Sequence, residues 1–186
     1  MALPTIGFVI GSLRKSSFNR TLANEAAAIL EGRAKVTFIE FSDLPFLNQD
    51  EEFPTPAPVA RVREAVAACD ALWVFTPEYN GTLPAQLKNF FDWMSRRATP
   101  EAPAQPTVLT EKPATASGAS GGAATAGARA AVSDLMAYIY MNVMTEGQAG
   151  FVLPGQAWAE DSWTLSDDDR QALSAQADAF LAFMSK

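Results

Sequence analysis

The sequence predicts an α/β fold in which a five-stranded parallel sheet, of strand order 2-1-3-4-5, lies between two layers of helices. Segments typical of strands and of helices alternate along the chain, and this alternation characterises parallel sheets covered on both faces. The segment Ala71–Thr76 (ALWVFT) is apolar without alternation, as expected of a strand buried on both faces. The length of 186 residues suits one domain, residues 1–186.

Strands are predicted for short runs of apolar, β-forming residues. They are Thr5–Ile10, Lys35–Phe41, Ala71–Thr76, Ala114–Ser117 and Met141–Met144, with Phe151–Leu153 extending the edge. Helices are predicted where apolar residues recur on one face, or after a glycine-rich start. They are Phe18–Glu31, Val59–Cys69, Leu83–Arg96, Gly122–Tyr140 and a last helix that runs to Met184. Ser166 and Asp169 match a capping box that opens the last helix.

Composition excludes several classes of protein. Hydrophobic residues make up 48% of the chain and charged residues 19%, which is typical of a globular domain. The net charge of −7 argues against binding of nucleic acid or of anionic membranes. With no histidine, the chain has no imidazole metal ligand and no Ser–His or Cys–His pair, so we expect no metal site. One cysteine cannot form an internal disulfide, and no apolar run is long enough for a membrane helix, so we expect a cytoplasmic protein.

The first candidate binding loop is Gly11–Arg20 (GSLRKSSFNR), between the first strand and the first helix. The start of a helix offers free N–H groups to an anion. Short polar donors are added by Ser12, Ser16 and the polar residues that follow, and the loop begins at Gly11. Arg14, Lys15 and Arg20 are the only charged residues before Asn24, so this end of an acidic protein is basic. A capped helix with a solvated basic turn is the alternative. The loop has neither the G-x-x-x-x-G-K-[ST] nor the G-x-G-x-x-G pattern, which argues against ATP and against a Rossmann-type NAD site.

Two further loops follow the third and fourth strands. Pro77–Gly81 (PEYNG) places polar and aromatic groups where a buried strand ends, although a plain turn would use the same residues. Ser117–Gly122 (SGASGG) could be a flexible linker, but its position between a strand and a helix favours close approach to a ligand. In the order 2-1-3-4-5, strands one, three and four are neighbours, so the three loops share one crevice. One loop suits a phosphate and two suit a flat heterocycle, and FMN has both parts.

The motifs GSLRKSSFNR, TPEYNGTLPAQLKNFFDWMSR and the later glycine-rich turn resemble the NAD(P)H-dependent FMN reductase family, the flavodoxin-like group that includes quinone, chromate and azo reductases. The resemblance covers roughly residues 5–145 and implies a flavodoxin-like sandwich with bound FMN. It implies that the phosphate is held by Ser12, Arg14, Ser17, Phe18 and Asn19. It implies that the isoalloxazine is lined by Pro77, Glu78, Tyr79, Asn80 and Gly81. Contacts to the ribityl and ring side are implied for Ser117 and Gly118.

Hydride transfer to a flavin needs stacking and distance more than an acid or a base, which suits a chain without histidine. We therefore assign no catalytic side chain and expect a ping-pong reaction. NADPH or NADH delivers hydride and leaves, and a small oxidant such as a quinone, azo compound, chromate or flavin then takes the electrons. The alternative is a flavodoxin-type FMN electron carrier that serves a protein partner.

The remaining polar and aromatic candidates have structural interpretations. Cys69 is expected to be a buried thiol, and Asp167–Asp169 to favour a helix start through the helix dipole. Trp73 and Trp93 are expected in the core, whereas Trp158 and Trp163 could shield a pocket or a subunit contact. Family resemblance and the apolar faces of Phe90–Met94 and Tyr138–Met141 predict a homodimer or homotetramer.

Overall fold

The computed structural model describes residues 2–185 and contains a parallel sheet flanked by helices. The strands are β1 Thr5–Ile10, β2 Lys35–Phe38, β3 Ala71–Phe75, β4 Pro113–Ser120, β5 Asn142–Val143 and β6 Gly150–Val152. The α-helices are α1 Phe18–Ile29, α2 Ala57–Ala67, α3 Ala85–Met94, α4 Ala126–Tyr138, α5 Gly155–Glu160 and α6 Asp167–Met184. One 3₁₀ turn covers Gln49–Glu51.

The strand order is β2-β1-β3-β4-β5 and every pairing is parallel, which confirms the predicted order. The fifth position is divided between two short strands. β5 pairs with the start of β4 at Pro113–Ala114, and β6 pairs with its end at Gly118–Ser120. The sheet thus has six strands instead of the predicted five, but it keeps the flavodoxin-like order.

Both faces of the sheet are covered, which is why its central strand shows no polar alternation. On β3, Trp73 and Phe75 pack into the apolar layer that includes α1 and α6. Leu72 and Val74 pack into the opposite layer, with α2, α3 and α4. Successive side chains of a strand point to opposite faces, so a strand buried on both sides must be apolar throughout. The three-layer sandwich is confirmed.

The structure corrects several predicted boundaries. β4 runs to Ser120, beyond the predicted end at Ser117, because its last residues find a backbone partner in β6. α4 begins at Ala126 instead of Gly122, because Ala124 and Thr125 have φ angles of 46° and 59° and cannot extend a helix. α2 begins at Ala57, with Pro58 in its first turn, where the missing N–H group is not needed. The short helix α5 was not predicted.

Several single-residue predictions are confirmed. Cys69 is buried, and burial raises the pKa of its thiol. Trp73 and Trp93 lie in the core, and Ser166 forms the capping box with Asp169 at the start of α6. Within residues 2–185, no helix combines the length and the apolar character that a bilayer span requires.

One of the two surfaces predicted to contact another subunit is not available. The apolar side chains of Phe90–Met94 are buried inside the chain, against α2 and the loop that follows β2, and are not free for a partner. Tyr138 and Tyr140 are exposed by 82% and 62%, whereas Met141 is buried.

Candidate functional site

The first and second candidate loops are in direct contact at the carboxyl end of the sheet. The backbone N–H of Gly11 donates to the carbonyl of Phe75 at 2.8 Å, and the Gln86 amide donates to the carbonyl of Gly11 at 2.7 Å. A Cβ atom placed on Gly11 would lie 3.3 Å from Pro77 Cδ. Gly11 therefore lets the loop after β1 pack closely on the loop after β3.

The second loop is joined to the start of α4. Glu78 Oε2 accepts a hydrogen bond of 3.0 Å from the backbone N–H of Ala128, in the first turn of α4. Thr125, the residue that precedes this helix, makes no side-chain capping bond. The Glu78 carboxylate caps the helix instead. An anion at a helix N-terminus is favoured by the helix dipole. The first two loops and the start of α4 thus meet at one edge of the sheet.

The second loop is a tight hairpin. Tyr79 and Thr82 exchange backbone hydrogen bonds of 3.0 and 3.2 Å, with Asn80 at φ 52° and Gly81 at φ 77°. Positive φ at both central positions is the type I′ turn, which Asn-Gly favours. The turn leaves the side chain of Tyr79 47% exposed.

The first loop offers donors to an anion. Ser17 caps α1 by accepting from the backbone N–H of Arg20 at 3.3 Å, and the buried Ser12 hydroxyl accepts from Arg14 N at 3.4 Å. No group within residues 2–185 accepts a hydrogen bond from the backbone N–H groups of Leu13, Lys15 and Ser16. Unused N–H groups in a loop that leads into a helix suit a phosphate.

Side chains from α5 complete the surroundings of this loop. The Arg14 guanidinium lies over the Phe18 ring, 4.7 Å from its centroid, and forms an ion pair with Asp161. The Trp158 ring meets the Phe18 ring edge to face, with centroids 5.1 Å apart. Asp161 was not among the predicted site residues, and Trp158 was considered only as a shield for a pocket or a subunit contact. Trp163 is buried beside Phe151 instead.

Comparison with known proteins now identifies the family. Residues 4–155 match the family model described as NADPH-dependent FMN reductase. The chain belongs to this family. It is therefore an oxidoreductase that depends on FMN and on a reduced nicotinamide nucleotide, as the sequence predicted.

Similar proteins cover nearly the whole chain. A quinone reductase of Pseudomonas putida is 32% identical over 97% of this chain and 94% of its own length. A 2-hydroxy-1,4-benzoquinone reductase of a Burkholderia species is 30% identical over 96% and 95%. The solved structure of the flavoenzyme NAD(P)H:(acceptor) oxidoreductase FerB of Paracoccus denitrificans has a TM-score of 0.86 and 28% identity, covering 98% of both chains.

Two residues that the family resemblance placed at the flavin have structural partners in this reductase. Asn19 is buried, donates through Nδ2 to the carbonyl of Ala119 at 3.0 Å and accepts from Ala119 N at 2.9 Å. It thus ties the start of α1 to β4. Ser117 is fully buried. Its hydroxyl accepts a hydrogen bond from Trp73 Nε1 at 2.8 Å and donates one to Gln176 Oε1 at 2.7 Å, so both of its partners lie in the core.

Gly118 belongs to the strand, and the third loop comes later than predicted. A Cβ atom on Gly118 would lie 2.2 Å from the carbonyl oxygen of Thr76 and 2.5 Å from Thr125 Oγ1. Gly118 therefore provides close packing between β4, the end of β3 and the turn before α4. The loop that follows β4 begins at Gly121, where a Cβ atom would meet nothing within 4 Å.

The start of α4 holds buried polar atoms without partners. Arg129 donates through Nη1 to the carbonyl of Gln148 at 3.0 Å, but its Nε and the hydroxyl of Thr125 make no hydrogen bond within the described chain. Burial lowers the pKa of Arg129, and the nearby Glu78 carboxylate acts in the opposite direction. Unpaired buried polar groups are costly and need a functional or structural explanation. Here they lie beside the loops that we assign to the flavin.

Gly127→Ala is expected to loosen the contact between the hairpin and α4. Alanine normally stabilises a helix relative to glycine by about 1 kcal/mol. At position 127, however, the new Cβ would lie 2.5 Å from the carbonyl oxygen of Gly81. We expect a loss of about 1–3 kcal/mol in the free energy of unfolding, because backbone must move to relieve the overlap. FMN affinity should fall as well, and urea denaturation and flavin titration measure the two effects.

Gly155→Ala is the matched control. Gly155 is also in a first helical turn, but a Cβ atom there meets nothing within 4 Å. This variant should be as stable as the wild type or slightly more stable. Equal stability of the two alanine variants would contradict the assigned role of Gly127.

Proposed function

We propose that this FMN reductase uses NADPH or NADH to reduce a small oxidant, a quinone in the first place, by a ping-pong reaction through bound FMN. Azo compounds, chromate and free flavin are further acceptors of the same chemistry. The observation that carries the proposal is the contact of the loop after β1, the hairpin after β3 and the start of α4 at the carboxyl edge of the sheet, with unused N–H groups in the loop before α1. The names of the similar quinone reductases support the class of oxidant.

The residues of this edge fit FMN. Its phosphate would be held by the backbone N–H groups of Leu13, Lys15 and Ser16, the Ser12 and Ser16 hydroxyls and the Arg14 guanidinium. Ser17, Phe18 and Asn19 would support the phosphate loop by capping α1, by stacking beneath Arg14 and by bonding to β4. The ring would lie against the hairpin Pro77–Gly81. Ser117 and Gly118 would hold β4 in place beneath it. When bound, FMN supplies the redox chemistry.

The chain's own residues bind and orient, and none needs to act as an acid or a base. A reductase must leave access to one face of the ring for the nicotinamide and then for the oxidant. Tyr79 is exposed on the hairpin, while Trp158 and Trp163 are engaged with Phe18 and Phe151. The tryptophans that could have covered the ring thus have other partners, which supports direct access for both substrates.

Direct reduction by a nicotinamide nucleotide is the test of this function. Mixed anaerobically with NADPH or NADH, the FMN-loaded protein should lose its visible flavin absorbance within the time of one turnover. Initial rates with a quinone should give parallel lines in double-reciprocal plots, as a ping-pong reaction requires. Failure of both nucleotides to bleach the flavin, together with efficient exchange of electrons with a carrier protein, would favour the electron-carrier alternative.

We also propose that the reductase is a homodimer or homotetramer. With Phe90–Met94 buried inside the chain, the exposed Tyr138 and Tyr140 at the end of α4 are the part of the predicted contact surface that remains available.

A further inference from the structure

The short helix α5 and its C-cap residue reach the phosphate loop through two side chains. Trp158 lies within α5, and Asp161 is the C-cap residue that ends it. Trp158 packs on Phe18, and Asp161 pairs with Arg14, whose guanidinium lies over the Phe18 ring. An acidic side chain therefore contacts the cation that we assign to the flavin phosphate.

A phosphate can displace Asp161 from Arg14. The side chains of Arg14 and Asp161 are 40% and 59% exposed, so their ion pair is screened by water and held weakly. A cleft of about 270 Å³ is lined by Lys15–Phe18 and by Asp161–Trp163, and it offers space into which the carboxylate can turn. A phosphate is a stronger partner for a guanidinium than a solvated carboxylate, because it carries more negative charge.

We propose that Asp161 is a specificity-determining residue that competes with the flavin phosphate for Arg14. This inference rests on the proposed function, in which Arg14 binds the phosphate of FMN. The carboxylate lowers the affinity for FMN by occupying the guanidinium that would otherwise bind the phosphate. Riboflavin has no phosphate, so Asp161 leaves its affinity unchanged. The reductase thereby binds its cofactor less tightly than the phosphate loop alone would allow.

The variant Asp161→Asn tests the proposal without disturbing the backbone. Asp161 ends α5 with φ 52°, a conformation that asparagine adopts at least as readily as aspartate. Titration of the full chain, stripped of flavin, should show FMN binding about two- to fivefold tighter than in the wild type, the range expected for an exposed ion pair. The affinity for riboflavin should not change. Unchanged or weaker FMN binding in this variant would overturn the proposal, and weaker binding would show that Asp161 positions Arg14.

Three further variants make the result specific. Glu160→Gln removes the same charge one residue away, from a side chain that bonds Gln156 instead of Arg14, and should have a smaller effect. Asp161→Glu keeps the charge and should bind FMN as the wild type does. In the background of Arg14→Ala, Asp161→Asn should no longer tighten FMN binding, and a persisting gain would contradict competition at Arg14.

The same titrations separate this inference from the proposed function. If the wild type binds FMN and riboflavin equally, or if Arg14→Ala leaves FMN affinity unchanged, the phosphate assignment itself fails. If both of those results support the phosphate site but Asp161→Asn has no effect, only the competition fails.

Discussion

Replacing Arg14 by alanine is expected to weaken FMN binding by about 10- to 150-fold. Hydrogen bonds to charged groups contribute about 1.5–3 kcal/mol, and each 1.36 kcal/mol is a factor of ten in affinity. The loss should be near the lower limit, because the Arg14–Asp161 ion pair already offsets part of the attraction for phosphate. A contact to the phosphate affects binding much more than hydride transfer, so turnover at saturating FMN should change little. Flavin titration and steady-state rates at high FMN measure the two quantities.

Arg33→Ala provides a closely matched control. Arg33 also forms an ion pair with an aspartate, Asp178, and its side chain is exposed by the same 40% as that of Arg14. It follows α1 at the opposite edge of the sheet from the loops, so its loss should leave FMN affinity unchanged. Retained FMN affinity in Arg14→Ala with lost turnover would contradict the phosphate role and favour a role in the reaction itself.

The fold was predictable because its strongest signals are local in the chain. A strand such as Ala71–Phe75, buried on both faces, needs an uninterrupted apolar run, and the helices between such strands need one apolar face. The weak segment Ala114–Ser117 is also a strand, although its residues are small. Thr115 and Ser117 face the Trp73 ring and the α6 side chain Gln176, whereas Ala114 and Ala116 pack into the opposite layer. Packing of this kind depends on residues far away in the sequence.

The site was predictable as a set of loops but not as a set of side-chain roles. Glycine, serine and Asn-Gly patterns after strands located the loops, since backbone geometry imposes those residue types. The partner of a polar side chain, however, depends on the tertiary structure. Asn19 bonds β4 and Ser117 bonds Gln176, although both sit within flavin-binding motifs. Asp161 lies 147 positions after its partner Arg14, and nothing local in the chain indicates that contact.

The position of Gln176 in the sequence indicates a buried polar contact. It lies three residues after Leu173 and four before Phe180, on the apolar face of α6, and it is nearly fully buried. A glutamine on such a face must find hydrogen-bond partners inside the protein, because an unpaired buried amide is costly. Its position therefore predicts a polar link between α6 and the sheet.

Replacing Gln176 by leucine is expected to lower the free energy of unfolding by about 2–4 kcal/mol, since each unsatisfied buried polar group costs about 1–3 kcal/mol. The Gln176 amide donates to Thr115 Oγ1 at 3.1 Å and to the carbonyl of Ala116 at 3.0 Å. Its oxygen accepts from Ser117 Oγ at 2.7 Å and from Ala149 N at 2.8 Å. Leucine keeps the volume but makes none of these four bonds, and several groups then lose a partner in the core. Urea denaturation measures the loss as a lower midpoint.

Gln171→Leu separates this effect from a general response to leucine on α6. Gln171 is on the same helix but exposed, so its replacement should change stability by less than about 0.5 kcal/mol, as is usual for surface positions. The Gln176 bonds join β4 to the segment before β6, directly beneath the third loop. FMN affinity of Gln176→Leu should therefore fall together with stability, whereas Arg14→Ala should lose affinity alone. If Gln176→Leu were as stable as Gln171→Leu, the network would contribute no net stability, and β4 would be held by packing alone.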